Sequence, residues 1–239
     1  MMASWSAEQQ RVRDNLSRVE EQLQMACVAA GRKREEVTLM AVTKTVRPEL
    51  INVALDAGVT CIGENRVQEY LEKKEALHLD GVRRHLIGHL QTNKVRRIVG
   101  QVDRIESVDS EHLAKAISEA SLKLMGAPTE VLVEVNIGGE DSKSGVAPEQ
   151  LEELLWKIAD FKGIHVCGLM TIPPIFSTDD EKRAIFSQMR KVFIDIRDKK
   201  VDNVSMEVLS MGMSSDFVQA VLEGSTQVRI GSSLFGERI

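Results

Sequence analysis

The chain has 239 residues, 43% of them hydrophobic, 28% charged and only 4% aromatic, a globular balance that excludes disordered and fibrous classes. A formal net charge of -5 gives no basic footprint for nucleic acid or an anionic membrane surface and turns attention to small molecules. The three cysteines, Cys27, Cys61 and Cys167, are far apart and lack C-x-x-C spacing, which excludes a disulfide scaffold or zinc ribbon and fits a reducing, cytoplasmic setting.

Residues 1–13 are polar with no apolar leader core, and no apolar run reaches the ~20 residues of a spanning helix, so neither export nor membrane insertion is expected. Val12, Leu16, Val19, Leu23 and Ala26 then recur at steps of four and three. They predict an amphipathic N-terminal helix within residues 1–33, with Ser6 and Gln9 spaced as a capping box and Gly31 as its stop. Beyond it, short apolar β-branched runs alternate with helical segments. Strands are predicted at residues 37–42, 60–62, 85–87, 104–108, 131–137, 165–170, 207–209 and 227–230. Between them lies helix punctuation: Pro48 just inside a start, Gly58 after an end, Ser110 before Glu111, Pro148 in a first turn, Gly224 at a stop. Eight such units imply parallel pairing through right-handed crossovers and a closed (β/α)8 TIM barrel, one domain spanning residues 1–239. The loop at 171–180, with Pro173 and Pro174, reads as a connection and not a boundary.

In such barrels the chemistry gathers where strands end, and phosphate often sits after strands seven and eight. Lys44 directly follows the apolar run of strand one, where partial desolvation lowers an amine's pKa and makes it a nucleophile toward carbonyls. The alternative is a lysine that snorkels to water. Ser210, the amides around Met211 and Gly212, and those of Gly231 and Ser232 could converge on one anion, with a short final helix pointing its N–H groups at it; ordinary turn chemistry is the other reading. Arg229, at the end of strand eight, needs an acceptor: a carboxylate, or a pyridine nitrogen that an arginine would leave unprotonated. His85 and His89 lack the helical H-E-x-x-H order of a metal site and read as pocket lining or core, so no metal is expected. Lys94, Arg96 and Arg97 read as a solvated face.

The strand ends carry A-V-T-K-T at 41–45, G-E-N-R-V-Q-E at 63–69, H-L-I-G-H-L-Q-T-N-K at 85–94, V-N-I at 135–137, S-K-S-G at 142–145 and G-L-M at 168–170. S-M-G-M-S-S-D-F at 210–217 and V-R-I-G-S-S-L-F-G-E-R at 228–238 follow. In this order they resemble the pyridoxal phosphate homeostasis proteins, single-domain relatives of the alanine racemase barrel, over nearly the whole chain. The resemblance implies that Lys44 carries pyridoxal 5′-phosphate as a Schiff base. It further implies that Arg229 partners the pyridine nitrogen, that Asn65 sits near the ring, and that Ser210, Met211, Gly231 and Ser232 serve the phosphate. The sequence departs from the family where Arg66 replaces a frequent Tyr, Leu86 a Phe and Thr43 a Ser, which touches only the finer lining of the pocket.

Racemisation in the two-domain relatives sets a lysine against a tyrosine across the substrate. The sole tyrosine here, Tyr70, falls on the helix after strand two. A cofactor with no opposing acid–base group and a neutral ring stabilises carbanions poorly, so the expectation is a monomeric cytoplasmic carrier. It would store, buffer or deliver the cofactor, with other B6 vitamers and cofactor-dependent apoenzymes as further partners. Amino-acid racemisation is the alternative, and a cofactor-free Schiff-base aldolase a third class. Lys143 offers a second amine or, more simply, a solvated loop lysine.

Overall fold

The structure is a computed structural model that describes residues 2–140, 143–174 and 178–236. Ser142 of the S-K-S-G segment and the last two residues of the final motif therefore lie outside the described residues.

Helix α1 (Met2–Ala29) leads into β1 (Thr38–Val42), α2 (Pro48–Asp56), β2 (Cys61–Glu64), α3 (Val67–Lys73), β3 (Arg83–Leu86) and the single turn α4 (Val95–Ile98). Then come β4 (Arg104–Val108), α5 (Glu111–Leu124), β5 (Thr129–Glu134), α6 (Pro148–Ile158) and β6 (Ile164–Met170). The chain finishes with α7 (Asp179–Lys199), β7 (Val204–Met213), α8 (Phe217–Leu222), β8 (Gln227–Ile230) and α9 (Ser232–Phe235). The strands pair in parallel in sequence order and β8 closes on β1. This is the (β/α)8 barrel that the alternation predicts, with α1 as the extra helix.

Local chemistry accounts for the boundaries. Pro48 and Pro148 occupy first-turn positions where a missing N–H costs nothing, and Ser110 caps α5 by accepting from the Leu113 N–H. Gly31 adopts φ 67, and the Arg32 and Gly31 N–H groups return to the carbonyls of Cys27 and Val28 at 2.8 and 3.0 Å, closing α1 in a Schellman turn. The Ser6 capping box is a correction: α1 already runs from Met2, so Ser6 and Gln9 lie in its interior, the preceding residues being as able to form helix as those that follow. The second correction is β7, which spans Val204–Met213 and so puts Ser210 inside the strand, not at its end.

Alternation within the strands divides the buried residues between lumen and helical shell. Leu39, Ala41, Val228 and Ile230 pack outward against α1, α2, α8 and α9, while Met40 and Val42 turn inward with Cys61 and Ile87. The outward side of β4, β5, β6 and β7 packs on α5, α6 and α7 around Ile117, Leu155, Phe186 and Met189. Helix α1 lies across α2, α8 and α9 through Val12, Leu16, Val19 and Leu23. It is further tied by Asn15 Nδ2 to the Leu234 carbonyl at 2.9 Å and by Arg32 Nη1 to the Ser225 carbonyl at 2.7 Å. Its first turns reach the loop after β1, where the Arg47 guanidinium stacks 4.6 Å from the Trp5 ring and pairs with Glu8. No helix among the described residues is long and apolar enough to cross a membrane.

Leu23 is fully buried between α1 and the barrel, so Leu23→Ala should cost about 2–5 kcal/mol of unfolding free energy in a urea titration, a cavity effect the closed barrel cannot relax.

Candidate functional site

The loop from β1 to α2 is held by charge. The Lys73 ammonium, buried under β1 and β2, donates to the Thr43 carbonyl at 2.8 Å and pairs with Glu64 at 2.5 Å and Glu69 at 3.0 Å. Glu64 in turn accepts from Thr43 Oγ1 at 3.0 Å and from the Asn65 N–H at 2.9 Å. Thr45 stands at φ 60, and its N–H is taken by Glu69. A left-handed β-branched residue needs such support. The backbone on both sides of Lys44, and that of Asn65, is therefore clamped by a largely buried ion cluster in which one ammonium serves two carboxylates.

Lys44 and Asn65 line one cavity of about 430 Å³ at the C-terminal mouth of the barrel, together with Val42, Ile87, Ile172, Met213, Arg229 and the Ser214–Ser215 and Gly231–Ser233 segments. Asn65 Oδ1 is buried there without a hydrogen-bond partner. The exit of β3 passes so close that a Cβ on Gly88 would stand 2.2 Å from the Asn65 carbonyl oxygen, so only glycine fits.

Facing the lumen, Arg229 is 3% exposed and donates from Nη1 to Ser210 Oγ at 2.8 Å and from Nη2 to the Thr171 carbonyl at 2.7 Å. Beneath it Glu106 is fully buried and receives His85 Nδ1 at 2.6 Å, Gln227 Nε2 at 2.8 Å and Ser210 Oγ at 2.9 Å. Burial would raise its pKa, but the His85 hydrogen bond and charge, the Gln227 hydrogen bond and the Arg229 charge outweigh that and hold it at about 2. Arg229 itself is pulled below the usual arginine range by burial, against the charges of Glu106, Asp216 and Glu134.

The outer ends of β7 and β8 bring main-chain donors together. Asp216 accepts the Met213 N–H at 2.6 Å and shapes the turn in which Ser214 stands. The N–H groups of Gly231 and Ser233 both donate to Ser214 Oγ, each at 3.2 Å. Two main-chain donors aimed at one oxygen are the arrangement that a phosphate oxygen uses.

At the end of β5 Glu134 is 5% exposed. Burial, with the Asp109 charge beside it, lifts its pKa from 4.5 to about 7, against the pull of Arg229.

The structure thus gathers Lys44, Asn65, Arg229, Gly231 and Ser232 around one cavity. It does not bring Ser210 and Met211 there. Ser210 pairs in register with Gln227, deep in the barrel, and Met211 is fully buried in the shell core. Arg66 is exposed at the start of α3, and Lys143 bridges two loops through the Pro173 carbonyl at 3.0 Å and Glu140. His85 belongs to the Glu106 network, whereas His89 is exposed near Asp109 at 3.8 Å. Sequence reasoning missed Glu106, Glu134, Thr171 and Ser214. The last stood in a motif already noted, one residue past the true strand end.

A family model described as alanine racemase, N-terminal domain, matches residues 11–239, which defines the class of barrel. Among curated proteins the chain is 44% identical over 225 residues to the pyridoxal phosphate homeostasis protein of Aquifex aeolicus, covering 94% of this chain and 97% of that one. It is 35% identical over 227 residues to the protein of the same name from Escherichia coli K12, covering 94% and 95%. The chain therefore belongs to the pyridoxal phosphate homeostasis protein family. Among solved structures, PipY of Synechococcus elongatus PCC7942 with pyridoxal phosphate bound matches at a TM-score of 0.81 and 32% identity, covering 94% of this chain and all (100%) of that one. Alanine racemase from Corynebacterium glutamicum, 17% identical with a TM-score of 0.71 and 61% of its length covered, shares the fold.

Lys73→Met should lower the unfolding free energy by about 3–5 kcal/mol because it strands the buried Glu64 carboxylate, and adding Glu64→Gln should recover roughly half of that loss. A chemical-denaturation double-mutant cycle measures both. For Glu134, the folded chain keeps the proton up to about 7 while the unfolded chain sheds it near 4.5. Between those values the folded state binds more protons, so stability falls as pH rises and levels off above about 7. Glu134→Gln should remove up to about 3 kcal/mol of that decline, seen as wild-type and variant stability curves that meet near pH 4 and diverge toward pH 8.

Proposed function

We propose that this protein binds pyridoxal 5′-phosphate through a Schiff base on Lys44 and serves intracellular homeostasis of that cofactor by storing, buffering or delivering it. The observation that carries the reading is the single cavity in which an amine, an orphaned buried acceptor, a guanidinium and a two-amide cradle face one another across apolar walls. Each feature answers one part of the cofactor: Lys44 its aldehyde, Arg229 its ring nitrogen, Asn65 a donor at the ring edge, and the Gly231 and Ser233 amides beside Ser214 its phosphate. The apolar side chains Val42, Ile87 and Met213 suit the faces of a planar ring. When bound, the cofactor supplies an aldehyde that condenses reversibly with amines. An incoming amine or an apoenzyme that replaces Lys44 would release it.

Little turnover is expected. Arginine scarcely gives up a proton, so a ring nitrogen facing Arg229 stays neutral and the ring is a weak electron sink. Tyr70, the sole tyrosine, is buried on α3 with its hydroxyl donated to the Gln101 carbonyl at 2.9 Å, away from the cavity. Racemisation would need another group opposite Lys44. A cytoplasmic, monomeric carrier that also meets other B6 vitamers and apoenzymes completes the reading.

Purified protein mixed with the cofactor should turn yellow, and borohydride should fix the label on the peptide containing Lys44; Lys44→Ala should lose both signals. A protein that stays colourless and takes up no cofactor refutes the reading and favours an aldolase. Amino-acid racemisation well above the rate of the free cofactor would replace it with the racemase.

A further inference from the structure

Ser210, Glu106 and Arg229 meet where solvent does not reach, at 0%, 0% and 3% exposure. A hydroxyl has one hydrogen and two lone pairs, and the partners of Ser210 Oγ use all three. Its hydrogen goes to Glu106 Oε2 at 2.9 Å, and its lone pairs take Arg229 Nη1 at 2.8 Å and Gln227 Nε2 at 3.0 Å. Guanidinium and carboxylate thus form a buried pair with one hydroxyl between them, and no carboxylate makes a direct ion pair with Arg229 among the described residues. The Thr171 carbonyl fixes the other arm of the guanidinium at 2.7 Å.

A phosphate has no place in this arrangement. It would have to draw the hydroxyl hydrogen away from Glu106 and lie beside a buried anion, a juxtaposition of like charges that a low dielectric strongly disfavours. The two amides that converge on Ser214 stand at the outer end of β7, beyond the level of Ser210, which pairs with Gln227 at the inner end of β8.

We propose that Ser210, backed by Glu106, is a positioning residue that sets the direction in which Arg229 faces the cavity, and that it is not a ligand of the phosphate. The inference rests on the cofactor reading above. Glu106 is the counter-charge that keeps the guanidinium where a ring nitrogen would meet it, and His85 and Gln227 hold Glu106 in turn. Removing the hydroxyl lets Arg229 swing toward Glu106 and away from the ring, which alters the ring's electronic environment and leaves the phosphate grip intact.

The test titrates wild type, Ser210→Ala, Glu106→Gln and Ser214→Ala with pyridoxal 5′-phosphate and with pyridoxal, which has the same ring and aldehyde but no phosphate. Ser210→Ala and Glu106→Gln should weaken both ligands by about tenfold and keep the ratio of their affinities within about twofold of wild type. Both should shift the visible band of the bound ligand and the pH at which it fades, and Ser210→Thr, which keeps the hydroxyl, should restore the wild-type band. Ser214→Ala should instead collapse the preference for the phosphorylated ligand. A Ser210→Ala protein that loses only the phosphorylated ligand overturns the inference, and so does one whose affinities and band match wild type. Glu106→Gln, nearly identical in shape, carries the comparison if Ser210→Ala does not fold. A wild type that forms no visible band with either aldehyde refutes the cofactor reading itself, and this role with it.

Discussion

The register in which β8 closes on β1 is the constraint on which the site depends. Met40 pairs with Arg229 and Ala41 with Ile230, so the first and last strands deliver their C-terminal ends to the same rim. Lys44 follows one and Gly231 the other. Side chains alternate with period two, so a slip of one residue would turn Arg229 into the helical shell and Val228 or Ile230 into the lumen. Outward Val228 and Ile230, packed with α1 and α9, fix the register against that slip.

Two buried charge assemblies then set the geometry. One, Glu64, Glu69 and Lys73, grips the backbone around Lys44; the other, Glu106 with His85, Gln227 and Ser210, stands beneath Arg229. Barrels of this type usually fill the lumen with branched aliphatic side chains. Here part of the apolar filling gives way to charges that are tolerated because each is bonded on nearly every side. Such assemblies contribute less to stability than an apolar core of equal volume, but they allow few alternative arrangements of the backbone and side chains they hold.

Much of the fold was legible in the sequence, because hydrophobic period and chain punctuation are local properties. The spacing of Val12, Leu16, Val19 and Leu23 and the positions of Pro48, Ser110 and Pro148 each depend on a few neighbours, and the observed helices obey them. The eightfold alternation allowed few closures other than a barrel. Lys44, Asn65, Arg229, Gly231 and Ser232 were legible as candidates because each follows or ends a strand. Ser6 failed as a cap because a helix start cannot be told from a helix interior when the flanking residues are good helix formers.

What only the tertiary structure decided is depth. Residues 204–206 and 210–213 extend β7 past the short apolar run visible in the sequence, since their pairing with β6 and β8 supplies order that their own propensities do not. That extension sinks Ser210 into the lumen and brings Ser214 to the rim. Nothing local distinguishes the two serines, nor marks Glu106 as the carboxylate beneath Arg229, because burial and charge partners are set by strands far apart in the chain. The sequence determined which chemical groups the barrel carries, and the closed sheet determined which of them face the cavity and which hold the others in place.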